Sequence, residues 1–218
     1  MRFLPVVAAC LWFISCREIQ PFQPVSAIQG YRLDGIVTSA NGIPLAGVQL
    51  ILYYNYDYYS TTPVDTQKVI VGPATRVVDV AIYTPSHILV RQLFYGYHAP
   101  GPLLPISWDG KDAKGVSVPS GEYLMRFALD NVVIKYTTLI IDGDVTAVTD
   151  STGRFSIGQD NLPVGAIFDN YFSNNTYDAT YIVLSTIDMV VLKPPLEKTY
   201  SGIQLSTDQL TTIALTLE

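Results

Sequence analysis

The feature that most constrains this chain is an alternation of period two, cut short every few residues by turn formers. Residues 211–217, Thr-Thr-Ile-Ala-Leu-Thr-Leu, send β-branched and apolar side chains to opposite sides in turn. Such a run buries one face and leaves the other to solvent, as a strand does and a helix cannot. Residues 77–83, 89–93, 123–129, 181–184 and 189–192 are runs of the same kind, bounded by Pro, Gly, Asn and Asp, and predict further strands. Residues 168–178 are rich in Asn and Tyr and less periodic, which predicts a loop. The expected fold class is all-β, with sheets packed as sandwiches.

Size and charge narrow the function. The 218 residues can bury a real core and hold one large domain or two small ones. The formal net charge is −6, and no run of Lys or Arg could follow a phosphate backbone, so nucleic acid is not an expected partner.

The first residues read as an export leader. Arg2 supplies a minimal positive start, residues 3–13 form an apolar stretch, and the small Ser15 precedes Cys16. A permanent span needs about 20 apolar residues, so this stretch is too short for one. Phe13-Ile14-Ser15-Cys16 resembles the lipobox of bacterial lipoproteins, with Phe13 where that family prefers Leu or Val. The resemblance implies a leader over 1–15, lipidation of Cys16 and attachment to a membrane through the N-terminal lipid. Val7-Ala8-Ala9-Cys10 fits the same box but leaves only a nine-residue leader. An ordinary cleaved leader with an incidental cysteine is the other reading. Cys10 and Cys16 are the only cysteines, so the exported remainder has none for an internal disulfide. Residues 16–30, with Pro21 and Pro24, read as an extended tether.

The mature chain carries two motif sets. Gly35-Ile36-Val37-Thr38, the Asn41-Gly42 turn with Pro44, and Gly47-Val48-Gln49-Leu50 describe a strand, a tight turn and a second strand. They resemble the opening of carboxypeptidase-regulatory-like domains, which are transthyretin-like β-sandwiches. That family soon adds a Thr-Asp-x-x-Gly-x-Phe signature and a Leu-Pro-x-Gly. Here both arrive late, as Thr149-Asp150-Ser151-Thr152-Gly153-Arg154-Phe155 and Leu162-Pro163-Val164-Gly165. The excess is roughly 80 residues, enough for a small sandwich of its own.

The excess has a signature too. Trp108-Asp109-Gly110-Lys111-Asp112, then Pro119-Ser120-Gly121-Glu122-Tyr123, closely resembles the immunoglobulin-like domain of flagellar hook-capping proteins, which recurs in many surface proteins. Trp108 is expected to pack on a core, Asp109 and Asp112 to accept from turn amides, and Gly110 and Gly115 to adopt conformations costly for other residues. Pro119 and Gly121 are expected to reverse the chain. The expected organisation is a discontinuous sandwich over 31–52 and 142–218, interrupted by an immunoglobulin-like sandwich over 53–141.

Nothing in the sequence demands catalysis. His87 and His98 lack metal-ligand spacing and read as surface or turn residues. Asp142, Asp144 and Asp150 could act as acid, base or calcium ligand, but solvated turns account for them more simply. Asp109 and Asp112 lack an EF-hand context, so neither a metal nor any other cofactor is expected. No nucleophile elbow, zinc helix, phosphate loop or dinucleotide fingerprint occurs, and the regulatory-like domain is itself a non-catalytic appendage.

The remaining surface candidate is the run Tyr53, Tyr54, Tyr56, Tyr58 and Tyr59. Aromatics with polar tips suit glycan stacking or protein contact, and they equally suit packing at a junction between modules. The function expected is a structural, adhesive or assembly role in a bacterial envelope. A carbohydrate- or peptide-binding surface is the alternative, with the tyrosine run and the loop 168–178 as its site, and a protein or glycan is the partner in either case.

Overall fold

The computed structural model describes residues 30–64, 69–103, 106–172 and 176–218. The leader, Cys10, Cys16 and the tether up to residue 29 lie outside them. The described chain is all-β, with fourteen strands and one 3₁₀ turn among these residues.

Two sheets face each other at the chain's two ends. β1 (Tyr31–Ser39) is the centre of the smaller one, flanked by β10 (Arg154–Ile157) and β14 (Gln209–Leu217). β14 runs parallel to β1 in unbroken register from Tyr31↔Gln209 to Ser39↔Leu217. The alternation in residues 211–217 therefore sits inside a sheet, with Leu215 and Leu217 buried.

The larger sheet is built on β2 (Gln49–Ser60) and β12 (Tyr177–Lys193). β9 (Val145–Val148) pairs with the outer edge of β2. β11 (Ile167–Tyr171) and β13 (Leu196–Gln204) share the other edge of β12. Leu33, Val37, Phe155 and Leu215 of the smaller sheet meet Leu50, Leu52, Ile187 and Met189 of the larger in one buried cluster. Each such side chain contributes about 1.5–3 kcal/mol on leaving water, enough to hold the two sheets face to face.

The sequence motifs explain how the cluster closes. Gly35 lies directly opposite Phe155 in the β1–β10 register. A Cβ on Gly35 would come within 2.4 Å of the Phe155 ring and 2.8 Å of the Ile213 carbonyl oxygen. The ring thus fills the place that a side chain at 35 would take, and the two residues need each other. Thr149 is buried, accepts the Val48 N–H at 2.9 Å and donates its hydroxyl to the Leu45 carbonyl at 2.6 Å. Gly153 has φ 73°, and a Cβ there would meet the Val37 carbonyl oxygen at 2.7 Å. In the Asn41-Gly42 turn Gly42 takes a positive φ and Asn41 does not.

A second buried cluster lies wholly within residues 69–127, around Val78, Val80, Ile82, Tyr123, Met125 and Phe127. Its sheet has the order β5 (Leu89–His98), β4 (Arg76–Tyr83), β7 (Gly121–Leu129), β8 (Val132–Ile141), with every neighbouring pair antiparallel. The short ladder of β3 (Ile70–Val71) and β6 (Gly101–Pro102) brings Val69 and Val71 onto this cluster.

Three elements differ from their sequence pattern. The expected loop over 168–178 contains β11 and the start of β12, because Phe168 pairs with Tyr181 and Asn170 with Ala179. The two runs 181–184 and 189–192 form one strand of 17 residues. Its polar middle bulges where Val183↔Tyr56 gives way to Ile187↔Tyr54. Asn55 donates to the Thr186 carbonyl there, and the Leu205 N–H to that of Ser185, so the irregular backbone stays hydrogen-bonded. β2 also runs past Leu52 to Ser60 in the same sheet, carrying the tyrosine run with it.

Candidate functional site

The tyrosine run of β2 divides by burial, and the division does not follow a strict alternation. Tyr54 points into the first cluster and is buried, and its hydroxyl donates to the Asn161 carbonyl at 2.9 Å. Burial pushes its phenol far above the ordinary range, with the Asp142 charge adding to it. Tyr56 donates to Asp142 Oδ2 at 2.8 Å, while Asp142 Oδ1 accepts the Tyr54 N–H at 3.2 Å. Burial and that bond also raise the Tyr56 phenol, and burial raises the Asp142 carboxyl despite the bonds it accepts. Tyr53, Tyr58 and Tyr59 are exposed, Tyr56 less so at 37 %, and the Tyr53 ring lies against Gly143. The run is therefore part packing and part surface.

Beyond the end of the smaller sheet, the aromatic face of the larger one continues. The Tyr56 and Phe168 rings meet edge to face at 5.3 Å, and Phe168 lies beside Tyr181 at 6.0 Å. Ile140 of β8 closes over this face, and a cleft of about 390 Å³ opens between Tyr56, Ile140, Phe168, Asn170 and Tyr181. A second cleft of about 310 Å³ shares Ile140, Phe168 and Asn170 and extends to Trp108 and Tyr171. Sequence reading joined residues 168–178 to the tyrosine run as a binding surface, but as a loop, and did not place Tyr181 with Phe168 and Asn170. The signal available was the aromatic and amide content of residues 168–178, which argued for a loop.

No family model, curated protein or solved structure matches this chain. Its chemistry is thus read from the side chains alone.

The signature residues of the 108–123 stretch are occupied by turn and joint contacts. Trp108 packs edge to face on Tyr123 at 5.0 Å and donates its indole N–H to the Lys111 carbonyl at 2.8 Å. Asp109 Oδ1 accepts from Arg91 and from the Lys111 N–H, and Asp112 Oδ1 accepts the N–H groups of Lys114 and Val116. Those bonds hold both carboxyls below their ordinary range, although desolvation opposes them at Asp109 most of all. Gly110 and Gly115 have φ 70° and 81°. Pro119 offers its carbonyl to the Tyr123 hydroxyl at 2.8 Å, and burial pushes that phenol up to about 12.

Gly121 departs from its expected role. It opens β7 without a positive φ, and a Cβ there would meet the Asp160 carbonyl oxygen at 2.6 Å. Its smallness serves a joint between the two clusters. Ser120 is fully buried and donates to the Asp144 carbonyl at 2.8 Å, and the Ser120 carbonyl accepts the Asn161 amide at 2.7 Å. Ser86 adds a bond to Asp160 at 2.7 Å.

The remaining acids and histidines have local partners as well. Asp150 Oδ1 accepts from the N–H groups of Thr152 and Arg154 and from the Thr152 hydroxyl, which lowers its carboxyl. His87 sits at φ 60° with its ring against Tyr136, and the His98 ring lies 2.6 Å from the Ala99 carbonyl oxygen. Among the described residues no group of three or more His, Cys, Asp or Glu comes together as a metal cage.

Proposed function

We propose that this chain is a non-catalytic, lipid-anchored protein of a bacterial cell envelope whose sheets serve as a structural, adhesive or assembly module. In this reading Cys16 carries the lipid, a carboxypeptidase-regulatory-like sandwich takes β1, β2 through Ser60 and residues 142–218, and the inserted immunoglobulin-like sandwich takes residues 69–141, so the tyrosine run lies on the first of the two. The separate pairing of β4, β5, β7 and β8 among themselves supports that division, as does the pairing of β1 and β2 with strands beyond residue 144.

The observation that carries the functional reading is the joint of Ser120, Gly121, Asn161 and Tyr54. Buried hydrogen bonds and a close backbone approach fix the orientation of one cluster on the other. A spacer or docking scaffold needs that rigidity. The candidate acids are engaged as acceptors in turns and joints, which fits a structural role for them.

The test is mass spectrometry of the mature N-terminus, with membrane fractionation of the protein and of Cys16→Ser. Diacylglyceryl and N-acyl chains on Cys16, and release of Cys16→Ser from the membrane fraction, are the expected results. A mature protein starting elsewhere, or equal membrane retention of the variant, contradicts the reading. The exposure of Tyr53, Tyr58 and Tyr59 favours a second reading, a carbohydrate- or peptide-binding surface on β2. Ligand binding lost on Tyr58→Ala with folding unchanged would support it.

A further inference from the structure

We infer that the seam between β8 and β11 is a binding groove for a neutral oligosaccharide, with Phe168 and Asn170 at its centre. This deepens the binding reading by centring its site on the 168–178 side instead of the exposed tyrosines, and it does not depend on the lipid anchor. β8 and β11 approach closely but form no ladder, and the two clefts open along this seam. Both are lined by Ile140, Phe168 and Asn170, so they lie next to each other along the seam. Each is of the size of a small-ligand site, and together they suit more than one sugar ring.

The lining specifies the ligand's chemistry. Phe168, Tyr56 and Tyr181 give aromatic surface at one end and Trp108 gives it at the other, matched to the apolar C–H face of a pyranose. Asn170 is exposed and donates to Asp178 Oδ2 at 3.0 Å, and the same oxygen lies 3.3 Å from the Tyr181 hydroxyl. One N–H of the Asn170 amide is thereby fixed, and its carbonyl and second N–H remain to pair with a sugar's hydroxyls.

Charge selects among ligands. Neither cleft is lined by Lys or Arg, so an acidic polysaccharide has no cation to pair with. The neighbouring carboxylates already have neutral donors: Asp142 has Tyr56, Asp169 has Thr180, and Asp178 has Asn170. They orient hydroxyl and amide groups instead of awaiting a cation, which favours a neutral polyol over a basic peptide.

The test titrates the full mature chain with cellohexaose, xylohexaose and mannohexaose, with a galacturonate hexamer and a lysine-rich peptide alongside. Calorimetry and tryptophan emission are the readouts, Trp108 being the only tryptophan among the described residues. Saturable one-site binding of a neutral hexasaccharide is expected, with a change in Trp108 emission. Asn170→Ala should weaken it by about tenfold, one hydrogen-bonded hydroxyl's worth. Phe168→Ala should abolish it, and Asn170→Ala keeps the test valid if that variant misfolds. Absence of binding to all three neutral sugars overturns the inference, as does binding only of the galacturonate or the peptide. Neutral binding that survives Asn170→Ala but is lost in Tyr53→Ala/Tyr59→Ala returns the site to the tyrosine run and overturns it equally.

Discussion

The two buried clusters are closed in opposite ways. The cluster around Val80 and Met125 is gathered from one stretch of chain, and its four-stranded sheet pairs only strands from residues 76–141. The cluster around Leu50 and Met189 needs both ends of the chain, since β1 pairs with β14 across its full length and β2 with β12. Loop closure must be paid for before such distant contacts form, so the second kind of core depends on exact fits at its closing points. Gly35 against Phe155, Thr149 against Val48 and Gly153 against Val37 are those points. The locally built core instead relies on its Trp108–Asp112 turn.

The largest expected effect is therefore at the closing points. Gly35→Val places a side chain where the Phe155 ring lies, and a scan of stability against urea should show a loss of about 3 kcal/mol or more, with overpacking and lost strand pairing combined. Met189→Ala and Met125→Ala compare the two cores directly, since both side chains are buried. Each should cost about 2–5 kcal/mol. Unfolding followed separately through Trp108 emission and far-ultraviolet dichroism should show Met125→Ala moving the Trp108 transition first. Coincident shifts for both variants would mean that the joint makes one cooperative unit of the two cores.

The joint itself comes next in size. Gly121→Ala drives a methyl group into the Asp160 backbone, and thermal unfolding should show a loss of about 1–3 kcal/mol, with amide exchange quickened at Asn161 and Ser120. An unchanged exchange pattern there would mean that the contact does not couple the cores.

Acid sensitivity separates carboxylates in turns from the one at the tyrosine pair. Asp112 and Asp150 are held below their ordinary range by the amides they accept, so their contribution is present above that range and lost as pH falls through the lowered value. Asp142 is raised by burial, so the reverse holds: stability falls as pH rises from the ordinary carboxylate range through its raised value. Asp150→Asn should flatten the acid limb of a stability–pH curve, and Asp142→Asn should remove the fall on its less acidic side. The smallest effect belongs to the exposed Arg76–Asp130 pair, where Arg76→Ala should change stability by about 0.5 kcal/mol or less.

What the sequence disclosed follows the range of the physics involved. Turn geometry is local, so Gly110 and Gly115, and the turn roles of Asp109, Asp112 and Asp150, could be read from the sequence. β14 was legible from its alternation. β11 was not, because Asp169, Asn170 and Tyr171 have no strand pattern and become a strand only against β12. The tyrosine run could not be divided in advance either, since the bulge opposite Asn55 decides how Tyr54 and Tyr56 meet their neighbours. The groove at Phe168 joins Tyr56, Trp108, Ile140 and residues 168–181, and no local signal brings Trp108 and Ile140 to the other two.

The return of the chain to its first sheet can be tested by one crosslink. Asp34 and Ser156 face each other across β1 and β10, 2.7 Å apart at their side-chain oxygens and 122 positions apart in sequence. With Cys10 and Cys16 replaced by Ser, Asp34→Cys/Ser156→Cys should form an intramolecular disulfide on air oxidation, seen as a loss of two hydrogens in the intact mass. Two thiols that stay free in the folded protein, or that pair only between molecules, would contradict the closure of the first core.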